Sequence, residues 1–484
     1  MYCRTLTIIL LFFPFVLSNG CEKVGGRTEY VIKSIHVNAS SLAMQVGDRE
    51  RLKATAVPAV AHEPVYQWTS SDNSIVAVSN GIVEAKKEGK ADISVSFQRA
   101  RVTIPVTVVV PEYPGGSVLY NLKPNSLNQA RELLLNEAGG YAEDGLRLTG
   151  KGKLAKLDRF YALGERMVRY RIRPSGDAVV LFQSSLGDFS AYLNVPSQKI
   201  QIGTSPVTES AVPFLKGDRD YEVEVYHIYN QAKVRIVDVQ THECAEVAVT
   251  MDGTGGCGKG TLQEGFSVGM QWDHYCFGLK EGTSALLERL TVFSLKKKVK
   301  LLLYGDSISQ PEGYFPLKDF PDAWTQRIIS RLGGDAMSSG RGGGTILTVL
   351  EYIKNELPFI EAKYVMVTVG TNGSNTEANL TEIVNYIRAQ GAIPILNNIP
   401  CNESGTQIEN NALIETVRRK LGVKGCRFDL ATSLAGDGKE VDKTLMFWED
   451  YSGSYGWQIY HHPNGEGGRK MFERTFVDIP EIYE

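Results

Sequence analysis

The spacing of apolar residues changes character once along this chain, at Val299, and that change limits what the chain can fold into. Before it, short runs alternate apolar and polar residues. Examples are Ile35 and Val37, Leu42, Met44 and Val46, Ile93, Val95 and Phe97, and Val102, Ile104, Val106 and Val108. A period of two puts one face of a strand in a core and the other in water. Gly47-Asp48, Ser71-Asp72-Asn73, Asn80-Gly81 and Gly89-Lys90 punctuate these runs as turns. Further β runs follow at 167–172, 178–182, 221–226 and 233–237, after a linker, Pro111-Glu-Tyr-Pro-Gly-Gly116. From Val299 onward, continuous apolar stretches alternate with helical ones. Val299–Tyr304 ends in Gly305-Asp306-Ser307, Tyr364–Val369 ends in Gly370-Thr371-Asn372, and Ile393–Ile399 follows another helix. Repeated βα units predict a parallel sheet covered by helices.

The chain is therefore expected to be multidomain, and its 484 residues leave room for about three domains. Residues 30–110 predict a small β-sandwich, 117–297 a larger one of jelly-roll or concanavalin-like type, and 298–484 an α/β doubly wound parallel sheet. A net charge of -3 gives no general reason to expect nucleic acid as a partner. Arg4 followed by the apolar run Leu6–Leu17 reads as a secretory signal over 1–20, too short to span a membrane and stay. Residues 21–29 would then be a tether. The remaining cysteines contain no CxxC pair, so a zinc site is unsupported. Cys244 and Cys257 flank one expected hairpin and are the candidate disulfide of an exported protein. Cys401 and Cys426 are expected at opposite edges of the parallel sheet, too far apart to bridge. Gly253-Thr-Gly-Gly-Cys-Gly-Lys-Gly260 imitates a phosphate-binding loop, but Gly260 stands where Ser or Thr would hold magnesium. It reads as a glycine-rich hairpin tip.

The chemistry is expected in the last segment. Ligands of open α/β sheets bind at the carboxyl ends of the strands, where Ser307 and Asn372 both fall. A serine hydroxyl needs a neighbouring base to become a nucleophile. The only histidines after Val299 are His461 and His462, within GWQIYHHPNGEGG. Backbone N–H groups in Ser338-Ser-Gly-Arg-Gly-Gly-Gly344 and the amide of Asn372 are candidate donors to an oxyanion.

Several stretches resemble known families. Small residues running into Cys21 resemble the lipobox of bacterial lipoproteins, which implies cleavage before Cys21, acylation of its thiol, and a membrane anchor that does not span. MQVGDRERLKATAVP and YQWTSSDNSIVAVSNGIVEAKKEGKADISV resemble the bacterial immunoglobulin-like group-2 domain, mostly a spacer. Gly305-Asp306-Ser307, the glycine cluster, Gly370-Thr371-Asn372 and His462-Pro463-Asn464 resemble, in order, the four blocks of SGNH (GDSL-type) hydrolases, whose sheet is flavodoxin-like. That resemblance implies Ser307 as nucleophile and His462 as base. It also implies an oxyanion hole from the Ser307 N–H, the Asn372 side chain and a glycine, with Gly343 favoured over Gly342 or Gly344. His461 is expected to be a surface or wall residue.

One departure stands out. The family usually places Asp three residues before its histidine, and here that position is Ile459. A backbone carbonyl near Gln458 is the favoured substitute, with Asp450 or Glu449 folding back from the preceding segment as the alternative. The combined expectation is an exported lipoprotein at the outer membrane, cell surface or periplasmic face, acting as a monomeric carbohydrate acetylesterase on acetylated polysaccharide or oligosaccharide. No metal or organic cofactor is implied. Trp448, Trp457 and Tyr460 are candidates for a sugar-stacking wall near the histidines. The rival readings are a lipid or thioester acylhydrolase of the same fold and a glycan-binding lipoprotein with an inactive hydrolase domain.

Overall fold

A computed structural model describes residues 31–59, 64–184, 189–203, 207–250, 275–315, 317–450 and 458–484. The signal and tether, Cys21, Cys257, the 253–260 glycine run and Trp457 lie outside the described residues.

Strands between Ser34 and Val109 form a two-stranded, a three-stranded and a four-stranded sheet around one core. Period-two burial is plain in the Ala100–Val109 strand, where Ile104, Val106 and Val108 are buried. Asn80 and Gly81 both have positive φ, 48° and 76°, as a two-residue type I′ hairpin requires. They join Val76–Ser79 to Ile82–Ala85. A side chain at Gly81 would strike the Leu52 carbonyl oxygen at 2.5 Å.

Ser117 to Ser294 builds two larger antiparallel sheets, of eight and seven strands. Their inner faces meet in one core, with the Tyr170 ring 4.6 Å from Phe182 and 5.5 Å from Phe277. The first unit is fastened to this one by Asp48, 2% exposed, which accepts from Arg289 at 2.7 and 3.0 Å. Both of its oxygens are used, the strong bidentate form of the pair.

Beyond Lys298 four strands run parallel, in the order Ala336–Gly340, Lys298–Gly305, Glu361–Thr368, Ile393–Leu396. Helices α1 (Trp324–Arg331), α2 (Ile346–Glu356), α3 (Glu377–Ala389) and α4 (Gln407–Leu421) accompany them. Short α5 (Phe428–Thr432) and the terminal α6 (Gly465–Asp478) complete the α-helices among the described residues. Leu301, Leu302, Leu303, Val365 and Met366 are fully buried, as continuous apolar strands in a two-sided sheet must be.

The outer edge of this sheet, Ala336–Gly340, is not left open. Leu163 of the sandwich forms an antiparallel bridge with Ser339, and the Gly164 N–H donates to the Ser338 carbonyl at 2.7 Å. The Ser338 N–H donates to the Tyr229 hydroxyl at 3.3 Å. An unpaired edge is a template for aggregation, and here the neighbouring unit occupies it.

Cys401 and Cys426 are both free and buried, but they do not lie at opposite edges. The Asn398 N–H bonds the Cys426 carbonyl at 2.9 Å, and Ile395 and Asn398 bridge in parallel to Lys424 and Arg427. Residues 424–427 run alongside the last strand, which brings Cys426 to the same edge as Cys401.

Candidate active site

Ser307 stands where the Lys298–Gly305 strand turns into a short 3-10 helix, Ser307–Ser309. Asp306 caps that turn, its Oδ1 accepting the Ile308 N–H at 3.0 Å. The turn is tight. A side chain at Gly305 would lie 2.2 Å from Ser309 Oγ and 2.5 Å from the Thr368 carbonyl. Burial raises the Asp306 carboxyl to about 6, opposed by the Ile308 N–H, by the charge of His462 and by Thr371.

The Ser307 hydroxyl lies 2.8 Å from His462 Nε2. On the other side of the ring, Nδ1 lies 2.5 Å from Glu449 Oε1, which also accepts the His462 backbone N–H at 3.2 Å. Glu449 is fully buried, and Ser307 and His462 are each 5% exposed. Tyr314 stacks on the imidazole with centroids 3.9 Å apart and planes 22° from parallel. Ser307, His462 and Glu449 thus form an ordered relay, with a base in reach of a hydroxyl and a carboxylate in reach of the base.

The ring partner expected from the sequence, a carbonyl near Gln458, is not the one found. Asp450 closes its strand opposite Gln458. The carboxylate comes from its neighbour Glu449, and the reason is a β-bulge. Met446–Asp450 pairs antiparallel with Gln458–Pro463, Trp448 opposite Tyr460 and Glu449 opposite Ile459. Between Tyr460 and Pro463 two residues, His461 and His462, face the single residue Phe447. The extra residue shifts the alternation. With residue-for-residue pairing His462, two residues beyond Tyr460, would share a face with Trp448 and Tyr460; the bulge instead puts it on the face of Phe447 and Glu449. That face meets the segment after Ser307, since Phe447 packs edge-on against Phe315 at 5.3 Å.

The same alternation corrects the expected aromatic wall. Trp448, 44% exposed, and Tyr460 pair at 5.1 Å on the face turned away from His462. His461 is edge-on to His462 at 4.5 Å, and its pKa falls to about 3, through burial first and the charge of His462 second. It is a neutral wall of the site.

The glycine loop sorts its own amides. The Gly342 N–H donates to Gln310 Oε1 at 2.6 Å, and the Gly344 N–H to the Arg341 carbonyl at 3.1 Å. The Gly343 and Ser307 N–H groups make no hydrogen bond among the described residues. Gly343 has φ +72° and open space where a side chain would stand. Asn372 Nδ2 donates to the Gly344 carbonyl at 3.2 Å, which ties the third candidate donor to the same loop. Gln310 and Tyr314, beyond the Gly305-Asp306-Ser307 block, and Thr371, inside the Gly370-Thr371-Asn372 block, were given no role from the sequence, and nothing local distinguishes them. No cluster able to hold a metal ion occurs among the described residues.

Residues 60–108 match the family described as hyaluronate lyase, N-terminal beta-sheet domain. No curated protein sequence matches the chain. Among solved structures, it is similar to a GDSL-like lipase from Bacteroides thetaiotaomicron, with 17% identity over 37% of this chain and 86% of that one, at a TM-score of 0.29. It is similar to the psychrotrophic esterase EstA from Pseudoalteromonas sp., with 16% identity over 38% of this chain and 98% of that one, at a TM-score of 0.29. It is also similar to arcelin-5, a lectin-like defence protein from Phaseolus vulgaris, with 12% identity over 37% of this chain and 98% of that one, at a TM-score of 0.28.

Proposed function

We propose that this chain is a serine esterase of the SGNH type, with a doubly wound catalytic unit, that removes acetyl groups from a polysaccharide or oligosaccharide outside the cytoplasm. The observation that carries the reading is the Ser307–His462–Glu449 relay, at 2.8 and 2.5 Å. Glu449 accepts from Nδ1–H and leaves the Nε2 lone pair facing the serine. As the Ser307 oxygen attacks the ester carbonyl, its proton passes to Nε2, and Glu449 stabilises the imidazolium. The Ser307 N–H, the Gly343 N–H and Asn372 Nδ2 donate to the developing oxyanion. Collapse expels the sugar alkoxide, which takes the proton from Nε2. Water then enters and gives a proton to His462 as its oxygen attacks the acyl carbon; collapse expels the Ser307 oxygen, which takes that proton from Nε2, and acetic acid leaves and ionises to acetate.

The recessed position of Ser307, 5% exposed, supports a short acyl group on a hydroxyl that can be brought to the mouth of the site. The β-rich units before the catalytic one support a polymeric substrate. Release of acetate from acetylated xylan or pectin, compared with hydrolysis of long-chain acyl esters, tests the substrate class. Ser307→Ala should lose at least about 10³-fold in kcat; equal rates in wild type and variant would refute the reading. The reading includes export and acylation at Cys21. Radiolabelled palmitate should enter the wild-type protein but not Cys21→Ala.

A further inference from the structure

The sandwich does more than cover a sheet edge. Its segment 160–164 reaches both elements that bracket the glycine loop. On one side is the Ala336–Gly340 strand, bridged by Leu163 and Gly164. On the other is α2, which starts at Ile346 just after the loop and ends at Glu356. The Glu356 side chain is fully buried and joins all three. One oxygen accepts the Ala162 N–H at 2.6 Å and the other accepts the Ser339 hydroxyl at 2.8 Å. The loop itself is also held: the Arg341 guanidinium lies 4.6 Å above the Phe160 ring, within the range of a cation–π contact.

We propose that the sandwich segment Phe160–Gly164 is a clamp that positions the oxyanion loop, with Phe160 and Glu356 as its positioning residues. The inference rests on the esterase reading for its effect on rate, and on the geometry alone for its effect on the loop. An oxyanion donor contributes only if it is already aimed when charge develops. Loop residues such as Gly343, with no side chain and a positive φ, cannot hold their own orientation. The neighbouring unit supplies that constraint from outside the catalytic sheet. Phe160 touches neither of the reacting side chains, so its loss should act on transition-state stabilisation and not on substrate capture.

The test uses the full-length protein. Phe160→Ala should lower kcat for p-nitrophenyl acetate by about tenfold while KM stays within about twofold. Placed in an Asn372→Ala background, the same change should cost less than about threefold, because both act through one oxyanion hole. Arg341→Gln removes the loop side of the contact and should reproduce the kcat loss if Phe160→Ala folds poorly. Unchanged kcat in both variants, a rise in KM alone, or fully additive losses would overturn the clamp. Hydrogen exchange over 340–345 provides a readout independent of turnover. It should speed up in Phe160→Ala whether or not Ser307 proves catalytic, and unchanged protection there would also overturn the proposal.

Discussion

At the scale of single residues, the relay turns on which of two adjacent acids serves the histidine. Glu449 is fully buried and contacts both the Nδ1 and the backbone N–H of His462. Replacing it with Gln keeps the shape but removes the charge that stabilises the imidazolium and disturbs the tautomer. Glu449→Gln should lower kcat on the order of 10³-fold or more, whereas Asp450→Ala should leave it within about twofold; steady-state kinetics on one acetyl ester decides both. That Ser307 and His462 would come together was legible in the sequence because each sits in a block of three residues whose geometry is local. The acid was legible only as one of several alternatives. Its position depends on pairing across thirteen residues, and no spacing rule within a short motif records that.

At the scale of elements, the hairpin Met446–Asp450 with Gln458–Pro463 makes the site by carrying one residue too many on its second strand. Inserting one residue between Phe447 and Trp448 would give every residue of the second strand a partner and turn His462 away from Glu449. That insertion should reduce activity to the level of Ser307→Ala, while His461→Ala, which keeps the backbone count, should retain activity within about threefold. Comparing the two variants in one assay separates the bulge from the side chain. Strands themselves could be read from periodicity: the apolar run Val299–Tyr304 lies within the observed Lys298–Gly305 strand. The bulge could not, because two histidines before a proline look the same in either register. The aromatic pair Trp448 and Tyr460 was misplaced for the same reason.

At the scale of the whole molecule, the sandwich and the catalytic unit share buried groups that neither satisfies alone. A fragment spanning 298–484 would expose the Ala336–Gly340 edge and leave Glu356 without its Ala162 partner. It should aggregate or melt well below the full chain in calorimetry. The period-two runs announced both β units, but not which edge would dock where, since docking is decided by shape and by a few polar groups. Burial raises the carboxyls of Glu312 and Glu356 to about 7. Glu312 faces His227 at 4.0 Å, with the Arg166 charge opposing its shift. Acids with raised folded pKa values contribute stability that is complete below their unfolded pKa and is lost as pH rises through the folded one. The thermal midpoint should therefore fall between pH 5 and pH 8. Glu312→Gln should flatten that decline, raising the midpoint relative to wild type at the alkaline end.

The bulged hairpin has one more consequence. Because the ladder itself aligns Glu449 with His462, what this pair requires is a register and not a fixed separation along the chain. Relatives of this chain should then be recognised by a shared register across the two strands, with no shared distance in sequence between the carboxylate and the histidine.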